Sequence, residues 1–302
     1  MPYRSSHPAR ARGLFLALIL AASASVALLA QQLTLPRRAG SVRFLVFGDT
    51  GTGDRSQYDV GRQIAAYHQL FRFTFALMLG DNMYGSERPQ DYDRKFVKAY
   101  KPLIDAKVEF HAALGNHDDP NQRFYEPFNL GGQRYRTFRK GNVRFFVLDS
   151  NYLDPDQVKW LDKELAAAGS AWKIVYFHHP LYTTARRGPE VELRAVLEPL
   201  LVKHGVNIVL AGHEHIYERI KPQKGIYHFT VGGAAKLRRG DTRAGTLTDA
   251  TYDQDRSFML VEISGNNFYF QTINRSGATV DKGVLRKQVA RGSTPTASTP
   301  PR

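Results

Sequence analysis

Five short blocks of this sequence carry side chains that could do chemistry. They are Gly48-Asp49-Thr50-Gly51, Gly80-Asp81-Asn82-Met83-Tyr84, Gly115-Asn116-His117-Asp118, His178-His179-Pro180 and Gly212-His213-Glu214-His215. Hard oxygen donors mixed with imidazoles suit iron, zinc or manganese rather than calcium. Each block alone has an ordinary reading, since an Asp after a strand caps a helix and Asn-His-Asp makes a turn. Their joint occurrence is the signal. His213 and His215, two apart, fall on one face of an extended chain. Four of the five blocks place a Gly just before the polar residue, where the backbone can turn sharply.

The positioning elements are legible in the hydrophobic pattern. Val42–Phe47, Phe75–Leu79, Val108–Leu114, Lys173–Phe177 and Asn207–Ala211 are short apolar runs that read as buried strands, and each leads into one of the five blocks. In an open α/β sheet the carboxyl ends of strands form the crevice where ligands bind, so the blocks should converge there. Amphipathic stretches at Gln57–Phe71, Asp91–Ala106, Asp156–Ala168 and Val191–His204 read as helices. Asp154-Pro155-Asp156 makes a good helix start, because Asp caps free amides and Pro is tolerated in the first turn. Further strands without intervening helices are expected at Tyr135–Phe138, Val143–Asp149, Ile226–Val231, Phe258–Ile263 and Phe268–Ile273, which implies a mixed sheet or two sheets packed face to face.

Composition narrows the function classes. The 302 residues are 42% hydrophobic and 23% charged, with a net charge of +14. Residues 1–38 hold five Arg and no acid, and residues 282–302 hold five Lys or Arg and no acid, which leaves about +4 for the body between them. That is an ordinary surface charge, so no nucleic-acid partner is expected. The absence of cysteine excludes disulfides, thiolate catalysis, cysteine-ligated zinc and iron–sulfur clusters. Arg4, Arg10 and Arg12 precede an uncharged run from Gly13 to Ala30, the pattern of an export signal or an uncleaved N-terminal anchor. The expected organisation is a signal or anchor over 1–30, a linker over 31–40, one domain over 41–284 and a disordered tail over 285–302. The protein is expected to be exported to the periplasm or medium, touching a membrane only through the N-terminal segment.

The five blocks resemble the motifs of metallophosphoesterases, and within them those of the purple acid phosphatases: G-D-x-G, G-D-x-x-Y, G-N-H-[DE], V-x-x-H and G-H-x-H. They stand here as Gly48–Gly51, Gly80–Tyr84, Gly115–Asp118, Val175–His178 and Gly212–His215. The resemblance spans roughly Ser41 to Ile273 and looks like the small tartrate-resistant type, without the N-terminal β-domain of plant-type enzymes. Most metallophosphoesterases begin D-x-H; this chain has Asp49-Thr50-Gly51, and Tyr84 supplies the replacement ligand. A phenolate is a hard anionic donor that favours a trivalent metal. The resemblance therefore implies Fe(III) held by Asp49, Tyr84 and His215, a divalent Fe, Zn or Mn held by Asn116, His178 and His213, and Asp81 as the bridge. It also implies the fold: an α/β (α+β) four-layer αββα sandwich of two mixed sheets flanked by helices.

The activity so implied is an acid phosphatase that hydrolyses small phosphate monoesters by in-line attack of a metal-bound hydroxide, with an acidic optimum. His117 follows ligand Asn116 and is expected to be the general acid, or an electrostatic stabiliser, at the leaving group. His179 either contacts substrate or fills space before Pro180. Asp118 is expected to orient Asn116 or His117, and Glu214 to point away from the ligands. The basic stretches Ala185–Gly188 and Lys236–Arg239 could hold a second anionic group or be solvated faces. Two alternatives stay open: a phosphodiesterase or nucleotide phosphohydrolase on the same metal core, and a non-catalytic metal-binding envelope protein.

Overall fold

A computed structural model describes residues 33–243 and 245–287. The expected signal and most of the expected tail lie outside the described residues. Two mixed sheets face each other. The first has the order β13-β12-β11-β1-β2-β3, with β1 (Val42–Phe47), β2 (Phe75–Met78) and β3 (Glu109–Ala112) parallel and β11 (Ser257–Ser264), β12 (Asn267–Asn274) and β13 (Thr279–Arg286) added antiparallel. The second has the order β10-β8-β9-β7-β6-β5-β4. Here β5 (Val143–Val147), β6 (Trp172–Tyr176), β7 (Ile208–Ala211) and β9 (Ile226–Val231) run parallel. The flanking β4 (Arg136–Lys140), β8 (Tyr217–Gln223) and β10 (Thr248–Tyr252) are antiparallel to their neighbours.

The continuous apolar strands are explained by burial on both faces. Along β1, Phe44 and Val46 point into the core between the sheets, where Phe75, Phe145, Trp172, Ile174, Leu210 and Phe270 also lie. Leu45 and Phe47 point outward under helix α1 (Arg55–Phe71), against Val60, Ile64, Tyr67 and Phe71. On the far side, Val175, Phe177 and Val209 pack under α2 (Pro155–Ala166) and α3 (Val191–Lys203), meeting Leu161, Leu165, Leu197 and Leu201. The result is the four-layer αββα sandwich. Both α1 and α2 start on an aspartate cap: Asp54 Oδ1 accepts from Gln57 N at 2.9 Å and Asp154 Oδ1 from Gln157 N at 2.8 Å.

The structure departs from expectation in four places. The helix read at Asp91–Ala106 is broken into Pro89–Tyr92, a π-turn at Asp93–Val97 and Lys101–Asp105. Pro102 has no N–H to continue the ladder there. Strands β8, β10 and β13 were not expected. Residues 33–40 are no loose linker: Leu35 is buried, and the Arg37 amide donates to Glu262 Oε2 at 2.6 Å. The last strand runs to Arg286, past the expected domain end at 284. Among the described residues no helix is long and apolar enough to cross a membrane.

Candidate metal centre

The five strand-end loops meet along one edge of the facing sheets. Asp49, Asp81 and His213 all stand in the left-handed region, at φ 55, 49 and 67. Such conformations are uncommon for residues other than Gly and are kept where the surroundings over-determine them, often at functional sites. The preceding glycines serve mainly a different purpose from the expected sharp turn. Only Gly80 has positive φ among the four; at Gly115 a Cβ would fall 2.2 Å from Asp81 N and 2.3 Å from Asp81 Oδ1. Glycine is required there so that two loops can touch.

Seven of the expected residues form two groups that share Asp81. In the first, Tyr84 Oη lies 3.1 Å from Asp49 Oδ1, 2.9 Å from Asp81 Oδ2 and 3.3 Å from His215 Nε2, while His215 Nε2 is 3.4 Å from Asp49 Oδ1. In the second, Asn116 Oδ1 is 3.0 Å from both His178 Nε2 and His213 Nδ1, and His178 Nε2 is 3.3 Å from Asp81 Oδ1. Donor atoms about 2.1 Å from a shared ion stand about 3.0–3.4 Å from one another, so both groups have the spacing of a coordination shell. His178 Nδ1–H donates to the Leu79 carbonyl at 2.9 Å, which leaves Nε2 as a lone pair facing the group.

The electrostatics point the same way. Asp49 and Asp81 are 0% and 1% exposed, and among the described residues no Lys or Arg side chain pairs with either. Burial, then the Asp81 charge, pushes the Asp49 carboxyl well up. Burial, then Asp49 and Asp81, pushes the Tyr84 phenol up. Burial likewise drives His215 down to about 3 and His213 to about 2, so neither imidazole supplies a compensating charge. Buried acids without a counter-charge are costly. Metal cations would supply that charge, and the donor atoms present fit them.

The remaining expected residues divide. His117 is exposed, its amide donates to Asp81 Oδ1 at 2.9 Å and its ring stands 5.0 Å from that of Tyr84. Asp118 orients the side chain of neither Asn116 nor His117. Its carboxylate accepts from Gly115 N, Asn82 Nδ2, Met83 N and Gln122 Nε2 at 2.8–3.0 Å, tying the loop after β2 to the loop after β3. Glu214 turns away into the interior, where Arg238 is 3.4 Å from it. His179 has its Nδ1 held by Ser150 Oγ at 2.9 Å, with its ring 4.5 Å from that of His213. Its nitrogens come close enough to those of His178 and His213 to form a third possible donor group.

Two neighbours of the centre were not singled out from the sequence. Lys236 Nζ stands 4.6 Å over the Tyr84 ring, and Arg187 Nη1 donates to His213 Nε2 at 3.0 Å. Ligation through His213 Nδ1 would put the imidazole proton on Nε2, so the exposed Arg187 would have to swing off it. Both lie in the basic stretches noted above; nothing in the sequence says which cation faces the site.

Comparison with known proteins gives the family and the fold. The model of the calcineurin-like phosphoesterase family matches residues 42–217. The human tartrate-resistant acid phosphatase type 5 is 26% identical, over 86% of this chain and 97% of its own. Purple acid phosphatase 17 of Arabidopsis thaliana is 24% identical, over 84% and 87%. Among solved structures, a purple acid phosphatase from yellow lupin (Lupinus luteus) seeds superposes with a TM-score of 0.66 at 20% identity, over 83% of this chain and 55% of the lupin chain. The anchor in the inner membrane complex of Plasmodium superposes at 0.68 and 18% identity, over 83% and 90%. These two likenesses speak to the fold.

Proposed function

The chain belongs to the calcineurin-like phosphoesterase family, and from that premise we propose that it is a dinuclear-metal acid phosphatase acting on small phosphate monoesters. The observation that carries this reading is the pair of donor groups joined through Asp81, which stands 2.9 Å from Tyr84 Oη and 3.3 Å from His178 Nε2, while neither Asp49 nor Asp81 pairs with a Lys or Arg among the described residues. In this reading Asp49, Tyr84 and His215 hold Fe(III), which a phenolate oxygen favours. Asn116, His178 and His213 would hold a divalent Fe, Zn or Mn, and Asp81 would be a ligand shared by the two sites. Such a pair supplies Lewis-acid polarisation of the phosphoryl group and a water of lowered pKa.

The chain's own residues do the rest. His117 is exposed at the mouth with its ring against that of Tyr84, makes no side-chain hydrogen bond among the described residues, and gives a proton to the leaving oxygen. Its backbone bond to Asp81 anchors the main chain from which the ring projects. Arg187 and Lys236 place cations on the rim, where they attract the phosphoryl oxygens. Asp118 keeps the loops carrying Asp81 and Asn116 in register. The first thirty residues serve export, so the enzyme works in the periplasm or medium on a small-molecule substrate.

The test is His117→Ala in protein with its metal content measured. Metal content should stay, while turnover of an aryl phosphate monoester falls by about 10²–10⁴. Wild-type protein that carries two metals yet hydrolyses no monoester would move the function to a binding role; faster hydrolysis of the diester would make it a phosphodiesterase.

A further inference from the structure

Beside the centre lies a cavity of about 440 Å³ lined by Asn116, His179, Asp149, Ser150, Tyr152 and Glu190, among others. It shares Asn116 with the proposed metal site and is large enough for a small organic group. Its charge is unexpected for a basic chain. Among the described residues no Lys or Arg lines it, whereas three carboxylates do. Two of these are already engaged: Asp118 by its four donors, and Asp149 by Arg134 at 3.1 Å and the Asn151 amide at 2.9 Å. Glu190 is different. Its carboxylate is exposed and makes no hydrogen bond or ion pair among the described residues, although its backbone is fixed by an amide bond to the Pro180 carbonyl at 3.0 Å.

An aromatic face completes the lining. Tyr152 is 63% exposed, and its own carbonyl is held by Arg134 at 3.2 Å and Gln157 at 3.1 Å. A free carboxylate and a solvent-facing phenol ring in one cavity are the usual recognition elements for an ammonium group. Arg187, at His213, and Lys236, over Tyr84, present cations at the centre itself, and neither lines this cavity. The cations thus belong to the centre, and the cavity beside it offers a carboxylate and an aromatic ring to whatever is attached to a phosphoryl group held there.

We propose that this cavity is a leaving-group subsite that selects phosphate monoesters whose alcohol carries an ammonium, with Glu190 and Tyr152 reading the charge. The proposal rests on the phosphatase reading above and adds the substrate class. Glu190 acts on specificity through the substrate's charge and needs no bond-making role.

The experiment compares 2-aminoethyl phosphate with 2-hydroxyethyl phosphate, which differ in the ammonium, using an aryl phosphate as the activity control. In wild-type metal-loaded protein kcat/KM for the aminoethyl ester should exceed that for the hydroxyethyl ester about tenfold, from one exposed ion pair and one cation–π contact. Glu190→Gln should bring the ratio close to one, and Glu190→Lys should invert it. Calorimetric binding of 2-aminoethylphosphonate against ethylphosphonate reads the same preference without turnover. Equal kcat/KM for the two esters, with the aryl phosphate hydrolysed, overturns the subsite alone. If none of the three esters reacts in protein carrying two metals, the phosphatase reading fails first and this proposal falls with it.

Discussion

Asp118→Ala should be among the most damaging changes near the centre that remove no proposed ligand. The wild-type carboxylate accepts four hydrogen bonds from two loops: Gly115 N at 2.8 Å and Asn82 Nδ2 at 3.0 Å on one oxygen, Met83 N at 2.9 Å and Gln122 Nε2 at 2.8 Å on the other. Each net bond contributes about 1 kcal/mol, more when the acceptor is charged, so their loss should cost about 4 kcal/mol. Asp118→Asn keeps one acceptor oxygen and turns an N–H₂ toward the other two donors, so about 2–3 kcal/mol is expected from it. For a domain of this size 1 kcal/mol lowers the melting temperature by about 2–4 °C, which predicts a drop of about 8–16 °C for Ala and less for Asn. Chemical denaturation of the metal-free proteins gives the ranking without a contribution from bound ions. The reasoning is refuted if Ala costs under 1 kcal/mol, or if Asn is worse than Ala.

Four other outcomes are expected. Gly115→Ala should sharply lower metal binding, measured by equilibrium dialysis, because its Cβ would meet Asp81 N at 2.2 Å. Phe145→Ala, in the core between the sheets where Phe145 contacts Phe44 and Phe75, should destabilise by about 3–5 kcal/mol in urea. Metal removal should lower the melting temperature, since binding stabilises only the folded state; a scan with and without chelator reads this. For pH, burial lowers His228 to about 3, so between its unfolded value and that point the unfolded chain takes up a proton that the folded one refuses. Stability should therefore fall as pH drops from 6.5 toward 3, by up to about 1.4 kcal/mol per unit from this group, and His228→Leu should flatten the slope.

The strand-end blocks were legible because their strands are buried on both faces, so each reads as an unbroken apolar run stopping at a polar loop. That is how Asp49, Asp81, Asn116, His178 and His213 could be placed together from the sequence. The missed strands lack this mark. β13 (Thr-Val-Asp-Lys-Gly-Val-Leu-Arg) is a half-exposed sheet edge, β10 is another edge, and β8 carries Pro222 and three charges. Contacts made only by tertiary approach were also hidden. The bracing role of Asp118, the seat of Lys236 over Tyr84 and the burial of Leu35 depend on which segments meet, and no local pattern encodes that. The strand-end glycines were read for their freedom to turn, whereas at Gly115 the controlling fact is the closeness of Asp81.

The central claim is that two metal ions are held at Asp81 and act on a phosphate monoester. Protein beginning at residue 32, which keeps the packed segment from Leu33 onward, should be stripped of metal and titrated with iron and zinc while hydrolysis of an aryl monoester and its matching diester is followed. The account predicts that activity rises until two equivalents are bound and that the monoester is preferred. Activity unaffected by metal removal, or saturating at one equivalent, would contradict it.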